Sequence, residues 1–321
     1  MRKSVLIIIV FHDERSLEDT LESIRSVREI DYKDYDIIVV NNGMRDGARE
    51  KITSAFPGVL YLEAARNLGF AGGNNLGIDY GLTNGYDLFL ILNNDVAVAP
   101  DFLNHLLAKI DEDKKIGMVG PKTFYFAKKD KVWALGGYII KWRALVGGLN
   151  ENNERVGEYF KKWRPRLGEL FPITDQSKFN GGQVDYLPAS CILMKREVVE
   201  RIGKLPEEYF FAYEEADFAL SARCAGYKVM VEPKAHIWHK VGLSSKRTPE
   251  WTYNSYRNRF LFLKRNFVFP LNYLFTITLA IGKLVRTGPA RRILVEAFID
   301  HLKYKGVEEM HLRRIKEKYL I

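Results

Sequence analysis

Asn67-Leu-Gly-Phe-Ala-Gly-Gly-Asn-Asn-Leu-Gly77 follows a short apolar run, Val59–Leu62, and sets four glycines among three amides. A glycine-rich turn after a strand lets backbone N–H groups approach phosphate oxygens, and the amides add neutral hydrogen-bond partners. On this reading the chain is an α/β nucleotide-diphosphate binder, with Asn67, Gly72, Gly73 and Asn75 as candidate contacts. A plainer reading is a tight turn opening a helix, with Gly72 and Gly73 merely allowing close packing. The dinucleotide fingerprint G-x-G-x-x-G belongs at the first strand-to-helix turn, and there the chain has Phe11-His12-Asp13-Glu14 with no glycine. NAD binding is therefore disfavoured.

Outward from this stretch, the first hundred residues alternate apolar runs with helical periodicity, the pattern of a doubly wound, mainly parallel sheet. Strands are expected at Val5–Phe11, Asp36–Val40, Val59–Leu62 and Asp87–Leu92, and an amphipathic helix over Ser16–Arg28. Pro100 opens another helix, with Phe102, Leu103, Leu106, Leu107 and Ile110 facing inward. Polar residues follow each strand: His12 after the first, Asn41-Asn42 after the second, Asn67 after the third, Asn93-Asn94-Asp95 after the fourth. In a parallel sheet these positions converge on the edge where ligands of open α/β sheets bind. Beyond Gly120 the pattern weakens. Asn150–Gly182 is polar and basic with little periodicity, Tyr186–Met194 resumes as a strand, and Val198–Ile202 reads as a short helix ended at Gly203.

The 321 residues are nearly half hydrophobic, ample for a core, and no linker, repeat or low-complexity run divides them. Two cysteines, Cys191 and Cys224, make neither a disulfide framework nor a C-x-x-C metal site; both read as core residues of a protein in a reducing compartment. The apolar run after Arg2-Lys3 is short and lacks a cleavage site, and Phe267–Leu284 is interrupted by Pro270 and Asn272, so neither a signal peptide nor a membrane span is expected. Charge is localised: residues 251–321 carry 14 Lys/Arg against 5 Asp/Glu, which is the whole formal excess of +9. With the apolar stretch Phe267–Leu284 and the cations Lys283, Arg286, Arg291, Arg292, Arg313, Arg314 and Lys316, the tail suits an anionic membrane surface. The alternative is a helical hairpin packed on the rest of the chain with a solvated basic face. Nucleic acid is disfavoured as a partner, because no base-reading or stacking motif accompanies the charge.

Tyr209-Phe-Phe-Ala-Tyr-Glu-Glu-Ala-Asp217 delivers three carboxylates behind an aromatic run and ahead of a helix closed by Gly226. Acids in a first turn complement the helix dipole, but an apolar lead-in also desolvates a carboxylate and moves it toward general-base range. At helical spacing Glu214 and Asp217 share a face while Glu215 points elsewhere. Asp95 puts a hard oxygen ligand at the strand edge, unless it only caps the next turn. His236 and His239 follow Pro233, and one Asp with one His completes a divalent site only with the substrate's own phosphates.

Together these blocks resemble the family 2 glycosyltransferases, closest to the rhamnosyltransferase-like branch, with some likeness to bacterial galactofuranosyltransferases. The matching segments are Val39-Val-Asn-Asn-Gly43 with Asp46-Gly47, Asn67–Gly77, Leu92-Asn-Asn-Asp-Val96, Glu214-Glu-Ala-Asp217, and Tyr227–His239 with Arg257-Asn-Arg259. The resemblance implies a GT-A fold over residues 1–263, divided at 119/120 into a nucleotide-sugar half and an acceptor half, with a basic helical tail over 264–321. It implies an inverting transfer from a dTDP- or UDP-sugar to a glycan or lipid-linked acceptor, with Mg²⁺ or Mn²⁺ at the donor diphosphate. By position, Asn41 falls at the nucleobase or ribose and Asn67 and Asn75 in the donor pocket; Asp46, in a matching segment, and the strand-end residues His12, Asn93 and Asn94 are further substrate-binding candidates. Asp95 and His239 fall at the metal, Glu215 at the acceptor base with Glu214 and Asp217 beside it, and Arg257 near the diphosphate. The family more often has Asp where Asn41 stands and Asp where Glu215 stands, and its paired metal aspartates reduce here to Asp95. A cytoplasmic enzyme, peripheral on the inner face of the membrane, is the expectation. The alternatives are a noncatalytic sugar-nucleotide or polysaccharide-binding subunit and, less favoured, a nucleotidyltransferase.

Overall fold

The apolar run Val5–Phe11 forms β1, and its burial on both faces dictates the layers around it. Val5, Ile7 and Ile9 face a core shared with α1 (Leu17–Arg28) and α4 (Phe102–Asp111). Leu6 and Ile8 face the opposite core, shared with α3 (Gly69–Thr83). A strand covered on both sides reads as an unbroken hydrophobic run, which is how β1 stands out in the sequence. This computed structural model describes residues 3–43, 47–140, 145–149, 155–156, 181–240, 248–266, 274, 277, 291–303, 306 and 308–319.

The other strands are β2 (Tyr35–Asn42), β3 (Leu60–Ala64), β4 (Leu88–Asn93), β5 (Val96–Val98), β6 (Ile116–Tyr125), β7 (Lys128–Ala134), β8 (Gly137–Ile140), β9 (Leu145–Leu149), β10 (Arg155–Val156), β11 (Gly182–Gln183), β12 (Cys191–Lys195) and β13 (Lys228–His239). The main sheet runs β11-β13-β6-β12-β4-β1-β2-β3, with β5 on β13 and β7 on β6; β8, β9 and β10 form a small second sheet. Strands β1 to β4 pair in parallel, as do β6 and β13. Between these two groups β12 is inserted antiparallel to both β4 and β6. Two reversals restore direction, so β13 points the same way as β4 and ends at the same edge.

Of the two readings of residues 67–77, the structure has the plainer one, a turn that opens a helix: from Gly69 onward this segment is α3. Its glycines explain how the helix lies on β1. A Cβ built on Gly73 would stand 2.7 Å from Val10, one on Gly77 2.6 Å from Ile8, and one on Gly81 2.9 Å from Leu6. Four helical residues rise about 6 Å and two strand residues about 6.6 Å, so a glycine at every fourth position of α3 meets every second side chain of β1. Cys191 is buried on β12, but Cys224, read as core, is exposed in the last turn of α6 (Glu214–Cys224) because the buried face of that turn is taken by Ala222.

The remaining helices are α2 (Ala48–Ala55), α5 (Arg196–Ile202), α7 (Pro249–Asn266), α8 (Arg291–Lys303) and α9 (Glu309–Tyr319). Tyr253 of α7 packs with Ile293 and Ala297 of α8, Leu312 and Ile315 of α9, and Phe210. Inside this junction the Tyr253 hydroxyl donates to Asp300 at 2.9 Å, and His311 Nε2 stands 3.1 Å from the same carboxylate. Helix α7 runs through residue 263 and β6 through residue 119, so the divisions expected there fall inside continuous elements. Most of the apolar stretch 267–284, with Lys283 and Arg286, lies outside the described residues. No helix among the described residues is long and apolar enough to cross a membrane.

Candidate active site

Strand register brings the polar strand ends together. Phe11, the residue before His12, pairs with Asn41, Val10 pairs with Asn93, and Asn41 and Asn42 pair with Glu63 and Ala64. His12 is exposed at this edge, while Asn41 is buried. Asp13 beside His12 is used locally, accepting from the Ser16 amide at 2.8 Å to cap the turn that leads into α1. Asn93 is anchored by its backbone to the Ser190 carbonyl, and its side chain stays half-buried at the edge. Asn94 turns away from the edge, donating to the Ser16 carbonyl at 3.1 Å and the Thr20 hydroxyl at 3.0 Å. That holds the β4–β5 turn against α1 and leaves its neighbour Asp95 at the rim. Asp46 lies outside the described residues.

Asp95 meets His239, the last residue of β13, with Nε2 3.1 Å from the carboxylate. The backbone fixes the pair: Lys240 N–H donates to the Asp95 carbonyl at 3.0 Å, and His239 sits opposite Val96 of β5. Trp133 packs edge-on against the imidazole at 4.7 Å between ring centres. The imidazole is nearly buried, and its Nδ1 has no hydrogen-bond partner among the described residues. Adjacent ligands at roughly 2.1 Å on an octahedral cation stand about 3 Å apart, so the spacing and the O/N donor pair fit one divalent ion. Among the described residues no group of three or more His, Cys, Asp or Glu side chains converges as a metal site.

The glycine- and asparagine-rich stretch divides its labour differently from the cradle expected of it. Gly72 and Gly73 are buried inside α3, where a Cβ would strike Leu68 and Val10, so their lack of a side chain serves packing rather than phosphate approach. Asn75 is consumed by the 205–207 segment: its Nδ2 donates to the Leu205 carbonyl at 2.9 Å and to Glu207 at 2.8 Å, and its Oδ1 accepts from Leu205 N–H. Asn67 Oδ1 accepts from Gly69 N–H at 2.8 Å, shaping the entry to α3. Asn42, which the sequence singles out only as a strand-end amide, organises the same entry by accepting from Leu68 N–H and donating to the Gly69 carbonyl, both at 2.9 Å. At Gly69, with φ +74°, a Cβ would lie 2.3 Å from the Phe210 carbonyl. The next amide, Phe70 N–H, donates to that same carbonyl at 2.6 Å.

Phe210 opens the segment that carries the acids. Phe210, Ala212 and Tyr213 all have positive φ, at 66°, 67° and 81°, a conformation that side-chain-bearing residues rarely adopt and that costs about 1–3 kcal/mol each. Tyr213 is the N-cap of α6, so the strained segment passes directly into Glu214 and Glu215. Glu214 and Asp217 are buried on one face and Glu215 is half-buried on another, the division expected from helical spacing. Burial, and then the neighbouring Glu215 charge, push the Glu214 carboxyl well above the usual range. Burial raises Glu215 to about 7, held back by the backbone amides of Glu215, Ala216 and Tyr213. One oxygen of each carboxyl is sealed from solvent without a hydrogen-bond partner among the described residues. Both carboxyls are thus biased toward the neutral form, Glu214 by burial and by its neighbour's charge, Glu215 by burial.

Asp217 is held away from such chemistry. Its two oxygens accept from Arg265 Nε at 2.7 Å and Asn266 Nδ2 at 2.8 Å, which fastens α6 to the end of α7. Arg257, expected near the diphosphate, is fully buried instead; its guanidinium donates to the Glu208 carbonyl and to Asn258 Oδ1. The physical reason is its place on the inward face of α7, between Asn254 and Asn258, where the exposed carbonyls of residues 208–212 demand donors. Those two asparagines were not singled out by sequence. The available signal is their spacing with Arg257, at i, i+3 and i+4, which puts three polar side chains on one helix face amid aromatic residues.

A family model described as glycosyl transferase family 2 matches residues 6–203. The chain belongs to that family. Over 300 residues, 92% of this chain and 86% of the relative, it is 24% identical to the low-salt glycan biosynthesis hexosyltransferase Agl10 of Haloferax volcanii. It is 25% identical over 263 residues to the dTDP-rhamnosyl transferase RfbF of Shigella flexneri, covering 78% of this chain and 77% of that one. Against the N-acetylglucosaminyl-diphospho-decaprenol L-rhamnosyltransferase of Mycobacterium tuberculosis it is 24% identical over 228 residues, 66% and 69% of the two chains. Among solved structures, the mannosyltransferase PcManGT of Pyrobaculum calidifontis, in complex with GDP-Man and Mn²⁺, aligns with a TM-score of 0.55 at 14% identity, covering 100% of this chain and 88% of that one. The fold is GT-A, the protein is a glycosyltransferase, and the rhamnosyltransferases expected from its motifs are among the proteins it is similar to.

Proposed function

We propose that this glycosyltransferase moves a sugar from a dTDP- or UDP-linked donor to a hydroxyl of a glycan or lipid-linked acceptor, with inversion, in the synthesis of cell-surface polysaccharide or glycoconjugate. The observation that carries the reading is the Glu214–Glu215 pair at the start of α6: two adjacent carboxyls in the first turn, the first pushed well above the usual range by burial and the second raised to about 7. A carboxylate tuned near the working pH is suited to take a proton from an attacking alcohol. The names of the relatives, a dTDP-rhamnosyl transferase and a rhamnosyltransferase for a diphospho-decaprenol-linked sugar, favour the same donor and acceptor classes.

In this mechanism Glu215 accepts the proton of the acceptor hydroxyl, and the hydroxyl oxygen attacks the anomeric carbon in line with the departing nucleoside diphosphate. Burial and the adjacent Glu215 charge disfavour ionisation of Glu214, which favours Glu215 as the destination of the proton. Asn41, Asn93 and His12 line the strand-end edge as donor contacts, and Asn42 and Asn67 shape it through the backbone of Leu68 and Gly69. Asp95 and His239 would hold Mg²⁺ or Mn²⁺, which when bound offsets the charge of the diphosphate. No side chain here is assigned as a nucleophile for a second displacement, so the product should carry inverted anomeric configuration. Incubating the protein with a panel of nucleotide sugars should release free nucleoside diphosphate from one of them, and NMR of the first-formed glycoside should show inversion. Retention, or no release from any donor with or without acceptor, would overturn the reading.

The same proposal sets the enzyme on an anionic membrane surface. The solvent face of α8 carries Arg291, Arg292, Val295, Ile299, Leu302 and Lys303, three cations and three aliphatic side chains without an acid. Co-sedimentation with vesicles should require anionic lipid and weaken with salt, and Val295→Ser with Ile299→Ser should reduce it. Equal partitioning with neutral vesicles would remove the membrane from the proposal.

A further inference from the structure

Asn254 and Asn258 lie one turn apart on α7, both fully buried, and both point their amides at the strained segment that leads into the acids. Asn258 Nδ2 stands 2.9 Å from the Tyr209 carbonyl, 2.8 Å from that of Phe211 and 2.8 Å from that of Ala212. Asn254 Nδ2 donates to the Phe211 carbonyl and lies 3.3 Å from that of Tyr209. Arg257, between them, takes the Glu208 carbonyl and orients Asn258 through its Oδ1 at 3.1 Å. Three consecutive side chains of one helix face thus collect the carbonyls of residues 208, 209, 211 and 212. On the other side of the segment, the α3 amide Phe70 N–H takes the carbonyl of residue 210.

A backbone with three non-glycine residues at positive φ persists only where its surroundings over-determine it. Each carbonyl from residue 208 to residue 212 is turned toward a donor, four of them toward side chains of α7 and that of residue 210 toward α3. We propose that Asn254 and Asn258 are positioning residues for the transfer reaction: by clasping residues 209–212 they fix the first turn of α6 and keep the Glu215 carboxylate in its desolvated orientation. The inference rests on the assignment of Glu215 as the base. It gives the C-terminal helices a catalytic purpose, because α8 and α9 brace α7 at Tyr253, one residue from Asn254.

The test uses the full chain with the donor found in the panel and, as binding probe, the nucleoside diphosphate it releases. Asn258→Ala should lower kcat by roughly 10- to 100-fold while the affinity for nucleoside diphosphate, read by calorimetry, changes less than about threefold. A relaxed segment lets water reach Glu215, so the acid limb of the pH–rate profile should move down from about 7 toward the ordinary glutamate range. Adding Ala212→Gly to that variant should restore part of kcat, since glycine accepts positive φ without the clasp. Asn254→Ala, which removes fewer contacts, should show the same pattern at smaller amplitude and carries the test if Asn258→Ala does not fold. Wild-type kcat in a folded variant, or a fall in kcat with the acid limb unmoved and no rescue by glycine, would overturn the proposal. If Glu215→Gln itself keeps its turnover, the base assignment fails instead, a result separable from failure of the clasp.

Discussion

The sheet edge and the acid-bearing segment are built on opposite principles. At the edge, His12, Asn41, Asn93 and Asp95 are delivered by strands that would end there whatever the ligand, and register alone aligns them. Residues 209–215 adopt a conformation that local sequence disfavours and that two distant helices, α3 and α7, impose. The first region uses the regular geometry of the fold, and the second stores strain against it. Binding can rest on the regular part, because a nucleotide tolerates small shifts of its partners. A proton transfer depends on a shorter reach and a tuned carboxylate, and for that a rigid, over-determined segment is worth its cost.

The largest expected effect falls on the strained side. Glu215→Gln keeps the shape of the side chain but accepts no proton, so turnover should drop by roughly 10²-fold or more with little change in nucleotide affinity. In the wild type, kcat/KM should fall as the pH drops below about 7, as Glu215 is protonated. Stability should respond in the opposite sense. Both folded-state values are raised, so the charged carboxylates oppose folding, and this contribution to instability is absent at low pH and grows as pH rises from the ordinary glutamate value toward about 7. Thermal melts and rates measured over the same buffers would break the comparison if they rose and fell together.

A smaller and different effect is expected at the edge. Asp95→Asn should weaken Mn²⁺ binding in the presence of nucleoside diphosphate by roughly tenfold or more, because a two-ligand protein site depends on each of its donors. Free protein should bind Mn²⁺ weakly in either form, which calorimetry with and without nucleotide would test. Full activity in excess chelator would show that the Asp95–His239 pair serves only as a hydrogen bond.

The same contrast governs what the sequence makes legible. β1, α1 and the strand ends follow from hydrophobic period and order, and the Asp95–His239 meeting from a match of motifs. The burial of Arg257 does not follow, since an arginine beside an aromatic run reads as a surface or ligand group until the carbonyls it satisfies are known. Asp217 misleads in the same way: its partners, Arg265 and Asn266, are 48 and 49 residues away. Glycine was ambiguous for a physical reason, because close approach to a phosphate and close approach to a side chain both require a missing Cβ. Gly72 and Gly73 serve the second need, and Gly69 serves a third, the approach of another strained backbone.

The glycine ladder of α3 also bears on the order in which the molecule assembles. Glycines 72, 73, 77 and 81 each cost a helix about 1 kcal/mol relative to alanine, so the isolated segment has no helix to offer. Helix α3 comes into being as it docks on β1, and the anchor for Phe210 comes into being with it. Its amide protons should therefore exchange with solvent only in the same global openings that release β1, and not by separate fraying. Independent, faster exchange across residues 73–81 would mean that the helix has a stability of its own. A surface that reads as a nucleotide site is in this respect one cooperative unit with the sheet, and the seat of Phe210 is as durable as β1 itself.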